Sequence, residues 1–347
     1  MKRIVLFLSV IAALQTSPLL ADDKRLVLST IKPVHALVSA IAGDTADTAQ
    51  IIPDYASPHS YSFKPSDLRR LSKADLVFRI DEHMESFLNK SLTSITKDKL
   101  VSLSDSEGLV LLKANHSHDE HETHDEHESH EEHADHEEHE THDSHEGHEE
   151  HETHDSHAME NHDEHHEAEN AAENDYHLWL DPNNAIAMVK QIRDQLIKMD
   201  AKNTEQYTKN AEQLIDAITQ KDEAISKQLS GVTDSPFIVM HDAWQYFSKH
   251  YKLNQLSSVT LQEDLRASAK AISEAREMIR SSGVTCVVTE PNFRLDTLKV
   301  LTEDFKVNTA QIDPLGRNIA ISSQSYPELL QDTADKLLSC LQKDNTL

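Results

Sequence analysis

Two α/β halves, each a parallel sheet flanked by helices and separated by one long helix, form the fold class this sequence predicts. Two observations carry the prediction. Short apolar runs ending in polar or turn residues alternate with helical patterns in two separate sets, and strands alternating with helices imply parallel sheets covered on both faces. Between the sets lies one helical segment with no Pro or Gly inside it.

In the first set RLVLST (25–30), AQIIPD (49–54), LVFRID (76–81) and KLVSLS (99–104) read as strands. PVHALVSAIAG (33–43) and KPSDLRRLSKAD (64–75) read as the helices between them. After a polar interruption, structure resumes at YHLWLDP with a helix over 183–199. The segment 203–231 follows: Asn203 or Thr204 can cap it and Gly231 stops it. At 1.5 Å per residue it is about 40 Å long, enough to run the length of a domain. The second set has strand patterns at FIVMHD (237–242), NQLSSVTL (254–261), TCVVTEP (285–291) and NTAQID (308–313), with helices over 267–281, 293–305 and 326–341. The expected division is a signal segment 1–21, an N-terminal lobe 22–202, a linking helix 203–230 and a C-terminal lobe 231–347. A chain of this size can support two cores.

Lys2 and Arg3 precede the apolar run 4–14, and Ala21 offers a cleavage point, which is the layout of a secretory signal. No Cys follows the run, and no later segment is apolar enough to span a membrane, so an exported soluble monomer is expected. In that compartment Cys286 and Cys340 are most simply one disulfide; a pair of buried thiols is the alternative.

The formal charge of −28 comes from 33 basic and 61 acidic residues, but the acidity is local. Residues 116–170 hold 23 Asp or Glu, no Lys or Arg, and 18 of the 24 histidines. The remainder is close to balance and offers no basic face for a nucleic acid. The tract histidines are His116, His118, His121, His124, His127, His130, His133, His136, His139, His142, His145, His148, His151, His154, His157, His162, His165 and His166. Between 118 and 157 they recur at every third position, which keeps no face of an α-helix at 100° per residue. With so little apolar content the insertion 115–174 is expected to be disordered. Histidine and carboxylate together are metal-ligand vocabulary. The tract lacks the zinc-protease motif, since HESH and HEEH set their histidines three apart where that motif needs four. Two readings stand: a collector of metal ions at many weak sites, or a tolerated solvated insertion. Collection should weaken as pH falls through about 6.5, the reference histidine pKa.

Outside the tract six histidines remain: His35, His59, His83, His177, His241 and His250. His241 ends the run FIVM, Glu290 ends CVVT, and Asp313 ends TAQI. His59 sits in a Ser-Pro-His turn, and His177 opens HLWLDP. Ligands of open parallel sheets bind beyond the carboxyl ends of strands, so a cleft between two facing lobes would gather these residues. His35, inside PVHALV, and His250, at a charged helix end, read as structural.

ASPHSYSFKPSD, HLWLDP, FIVMHDAWQYF, VVTEPNF and IDPLGRNI resemble, in order and spacing, the motifs of the zinc-specific periplasmic solute-binding proteins of bacterial ABC importers, the ZnuA-like family. The likeness covers nearly all of the mature chain, including a His/acid-rich loop just before HLWL. It implies one metal between two lobes held by a rigid helix. It further implies that His59, His177 and His241 supply three imidazoles and that Asp313, or a water nearby, completes a tetrahedron. Glu290 looks like a nearby acid, and Cys286 and Cys340 fall where zinc-specific members carry their disulfide. His83 falls near a position where some relatives carry an acid close to the metal, so it is either an auxiliary ligand or a surface residue. Manganese-binding relatives carry Glu at the position of His241. The implied function is a zinc receptor delivering Zn²⁺ to a membrane permease with its ATPase. A periplasmic zinc buffer or metallochaperone, a manganese-binding relative and a zinc hydrolase are the alternatives.

Overall fold

Each apolar run identified as a strand is short because the chain must turn back over the sheet as a helix. The computed structural model describes residues 24–89, 96–114, 174–260 and 266–342; the signal segment and the histidine tract lie outside the described residues. The first lobe contains β1 (Arg25–Ser29), α1 (Lys32–Ala42), β2 (Ala46–Gln50), α2 (Pro65–Lys73), β3 (Leu76–Arg79), the single turn α3 (Ser86–Asn89) and β4 (Leu100–Ser102). Its sheet has the order β2-β1-β3-β4 and every pairing is parallel. Pro33 suits the first turn of α1, where its missing N–H costs nothing. Nine of the eleven residues of α1 are buried.

A two-stranded antiparallel ribbon follows, β5 (Leu112–Lys113) with β6 (Asn174–Asp175), so the chain leaves for segment 115–173 and rejoins at one point. Then come α4 (Pro182–Met199) and the long helix α5 (Thr204–Leu229). The Asp181 side chain caps α4 by accepting from the Asn183 N–H, with Pro182 in the first turn behind it.

The second lobe contains β7 (Phe237–His241), α6 (Gln245–His250), β8 (Gln255–Thr260), α7 (Ala269–Ser281), β9 (Cys286–Thr289), α8 (Leu295–Thr302), β10 (Asn308–Gln311) and α9 (Ser325–Leu341). Its sheet, in the order β10-β9-β7-β8, is again all parallel. Cys286 and Cys340 are disulfide-bonded, tying the start of β9 to the end of α9. Helix α5 packs against α1, α4 and α9. Its buried stripe of Tyr207, Ala211, Leu214, Ile218, Ile225 and Leu229 joins both lobes into one apolar core. The spacings of three, four and seven along that stripe keep one face inward. No helix among the described residues is long and apolar enough to cross a membrane.

The element order matches the expectation, with differences at the edges. The second strand is Ala46–Gln50, three residues before the expected run 49–54, because Ala46 through Gln50 register against Arg25 through Ser29. Ile51 and Ile52, which prompted the later assignment, are buried in the loop beyond the strand end. YHLWLDP contains a one-turn 3₁₀ helix, Leu178–Leu180, before α4. The ribbon and α3 carry no sequence pattern longer than six residues and were not expected, whereas α6 is the helix whose charged end was read at His250.

His250, read as structural, closes a clasp. Its Nε2 lies 2.8 Å from Asp222 Oδ1 on α5, and its Nδ1 lies 3.3 Å from Asp181 Oδ1 at the start of α4. Burial disfavours the charged imidazole, but the two carboxylates outweigh it and raise the pKa to about 9. A group whose pKa rises on folding stabilises fully below its unfolded value of 6.5 and loses that contribution as pH climbs through about 9. His250→Ala is therefore expected to cost about 1.5–3 kcal/mol near pH 6, with the difference in Tm from the parent shrinking toward pH 10. Thermal unfolding of both proteins across that range checks it.

Candidate metal centre

Parallel strands end together, so residues following them are delivered to one edge. In the second sheet Val239 pairs with Val288, and continuing that register sets His241 beside Glu290. Gln311 pairs with Thr289, which brings Asp313 to the same edge. From the first lobe, the loop after β2 presents His59, and the segment after β6 presents His177.

The ligand atoms of His59, His177 and His241 lie within 4.8 Å of one another. Ring centroids stand 5.4 Å apart for His59–His177, 5.5 Å for His59–His241 and 4.9 Å for His177–His241. The Nε2 atoms of all three are buried, and that of His177 makes no hydrogen bond among the described residues. An unpartnered nitrogen in a dry site is costly unless something else satisfies it. Around a tetrahedral Zn²⁺ with Zn–N of 2.0–2.1 Å, nitrogens sit about 3.3 Å apart, so the three rings frame a space the size of one ion.

What lies behind each ring decides which nitrogen it offers. His241 Nδ1 is 2.7 Å from Glu290 Oε1, and His177 Nδ1 is 2.7 Å from Asp175 Oδ1. A carboxylate only accepts, so each Nδ1 donates and Nε2 is the ring nitrogen that carries the lone pair. Backing a ligand imidazole with an acid fixes its tautomer and raises its basicity, a recurrent feature of zinc sites. Burial, with a smaller contribution from His241, depresses the His177 pKa to about 3. Burial likewise pushes Asp175 up to about 7. His177 is thus a neutral imidazole, grouped with the rings of His59 and His241.

The other expected residues are placed as follows. Glu290 is the backing acid of His241, within the range of "nearby acid" read from the sequence. Asp175 plays the same part for His177 and was not singled out, although an acid two residues before a candidate ligand was its available signal. Asp313 is buried, but its carboxylate is outside the group of three. Its oxygens accept from Leu315 N at 3.1 Å, Arg317 N at 2.6 Å and Arg317 Nε at 3.0 Å, which organises the Asp-Pro-Leu-Gly turn. Gly316 adopts φ of 61° there, and a Cβ would meet Leu329 Cδ1 at 3.1 Å. His83 also lies outside the group, half exposed beside Tyr176. His35 is buried against Ser39, and burial lowers its pKa to about 4, as befits a structural residue. The eighteen tract histidines lie outside the described residues.

Of four bonds near the centre, three join the two lobes and that of Lys32 to Asp54 stays within the first. Lys32 donates to Asp54 Oδ2 at 2.9 Å and to the Arg317 carbonyl at 2.5 Å. Trp179 Nε1 donates to Pro314 O at 2.7 Å, and Tyr326 donates to Trp179 O at 2.6 Å. No sequence signal marked Lys32 for this role.

A family model described as the periplasmic component A of zinc-uptake complexes matches residues 27–340. The chain belongs to this family, ZnuA. It is 38% identical over 345 residues to the high-affinity zinc uptake system protein ZnuA of Haemophilus influenzae, covering 99% of this chain and 100% of that protein. It is 37% identical over 328 residues to the protein of that name from Brucella suis, covering 93% and 94%. Among solved structures, a ZnuA deletion mutant with zinc bound superposes with a TM-score of 0.69 at 18% identity, covering 93% of this chain and all of that one. A manganese-bound periplasmic metal-binding protein from candidatus Liberibacter asiaticus matches nearly as well, with a TM-score of 0.66 at 17% identity over 92% and 100%. At such identities the likeness shows the fold alone. The fold does not choose the metal, and the donor set must.

Proposed function

We propose that this chain is the zinc-binding receptor of an ABC-type uptake system, working in the periplasm after export by its N-terminal signal. The convergence of three imidazoles, two of them backed by buried carboxylates, carries the reading. His59, His177 and His241 hold one Zn²⁺ through Nε2, between the lobes 22–202 and 231–347 joined by the helix 203–230. Zinc is cargo, and the chain performs no chemistry on it. The receptor delivers the ion to a membrane permease driven by an ATPase. The tract gathers zinc weakly and raises the local supply.

Nitrogen-rich donors favour Zn²⁺, whereas Mn²⁺ prefers carboxylate and carbonyl oxygen. Competitive titration with a chelating indicator tests this. Tight binding of one Zn²⁺ with much weaker Mn²⁺ supports the reading, and equal affinities refute it.

Asp313 can become the fourth ligand only by leaving Arg317. Arg317→Gln, which removes the Nε contact, is then expected to tighten zinc binding by about tenfold, the lower end of what an orienting partner is worth at a metal site. Asp313→Asn in the same background should erase the gain. Equal zinc affinity in the parent and Arg317→Gln would assign the fourth position to water.

A further inference from the structure

The Asp-x-His arrangement that presents His177 occurs a second time. In Asp175-Tyr176-His177, Asp175 Oδ1 accepts from the His177 N–H at 2.9 Å and lies 2.7 Å from its Nδ1. In Asp81-Glu82-His83, Asp81 Oδ1 accepts from the His83 N–H at 2.9 Å and lies 2.6 Å from its Nδ1. The same two bonds to the same oxygen fix each ring, so His83 too turns Nε2 away from its own carboxylate.

This second turn is held firmly. Asp81 Oδ2 accepts from Ser104 Oγ at 2.6 Å. The buried Glu85 carboxylate accepts from the N–H groups of Ile80 and Asp81 at 3.1 and 2.9 Å, and from Thr30 Oγ1 at 2.6 Å. The two units also touch. Tyr176, the middle residue of the first, stacks on the His83 ring with centroids 5.6 Å apart and planes 17° from parallel. Its hydroxyl lies 3.2 Å from His83 Nδ1. The side chains differ in exposure: that of His177 is 7% exposed and that of His83 is 41% exposed. An acid-oriented imidazole with an open face to water is built like a metal ligand. Packing alone would not require the Asp81 contact.

We propose that His83 is a transit ligand for the incoming divalent cation, binding it weakly through Nε2 outside the three-histidine centre. It passes the ion along Tyr176 toward His177. The inference rests on the assignment of the central site to zinc. Dehydrating a divalent cation one ligand at a time is easier than stripping it in one step. A ligand used only in transit lowers the barrier equally in both directions, so it changes rates and leaves the final affinity alone.

The chain provides its own reporter. Its two tryptophans, Trp179 and Trp244, are buried in the described core. The Trp179 ring lies 5.4 Å from that of His177. The histidine tract contains no Trp, so intrinsic fluorescence reads filling of the centre without reading the tract. Stopped-flow mixing of the full chain with Zn²⁺, and of the zinc-loaded chain with a chelator, gives both rates. His83→Ala is expected to slow loading and release by the same factor, several-fold, at an unchanged equilibrium midpoint. His83→Cys, which restores a metal-binding side chain, should recover part of the rate, and His83→Asn should not. Unchanged rates in His83→Ala overturn the proposal while leaving the central site intact. A change in the midpoint with only one rate altered also overturns it, since that marks a structural effect on the cleft. If zinc leaves the parent's fluorescence unaltered, the central assignment falls and the proposal falls with it.

Discussion

His241→Ala is expected to weaken binding of the tightly held zinc on the order of 10³-fold. Removing an acid that merely orients a ligand histidine costs about 10–100-fold, so loss of the imidazole itself must exceed that range. A factor of 10³ is about 4 kcal/mol. The position offers no easy substitute. His241 closes β7 and is almost wholly buried, with Glu290 fixed behind it just past the end of the neighbouring strand. The variant also strands the Glu290 carboxylate, whose Oε2 has no hydrogen-bond partner among the described residues. Some loss of Tm should therefore accompany the loss of affinity. Calorimetric titration with a competing chelator measures the first and differential scanning calorimetry the second.

The second large effect concerns stability. Replacing both Cys286 and Cys340 by Ala opens a loop of 54 residues. The chain-entropy account assigns such a loop about 4 kcal/mol. For a protein of this size that corresponds to a fall of roughly 8–16 °C in Tm. The bond lies at the first residue of β9, whereas Glu290 follows its last, so zinc affinity should survive where the fold persists. Calorimetric scans of the oxidised parent and the double variant decide the matter. A Tm within about 2 °C of the parent would mean that packing of α9 on the sheet already supplies the constraint.

Much of this architecture was legible because each element carried a local rule. The motif YHLWLDP marked where structure resumes before α4, and a run free of Pro and Gly from Asn203 or Thr204 to the stop at Gly231 announced α5. His241, Glu290 and Asp313 could be sent to one edge because each ends an apolar run, and parallel strands end together. What escaped depended on partners distant in sequence. The second strand moved because register with β1, not local hydrophobicity, chooses which residues pair. Lys32 reaches Arg317 across 285 positions, a contact that no pattern within α1 could reveal. The engagement of Asp313 with Arg317 is a matter of side-chain choice, since the carboxylate could face either the turn or the imidazoles. Asp175 was readable in principle, two residues before His177, and became informative only once its bond to Nδ1 was seen.

The central claim is that tight zinc belongs to the cleft and not to the histidine tract. The most direct test is a competitive zinc titration of the mature protein and of a version lacking residues 116–170, each with and without His241→Ala. The account predicts that the shortened protein keeps one tight zinc and that His241→Ala weakens it equally in both backgrounds. Tight binding that vanishes with the tract and ignores His241 would contradict the account and move the working site into the tract.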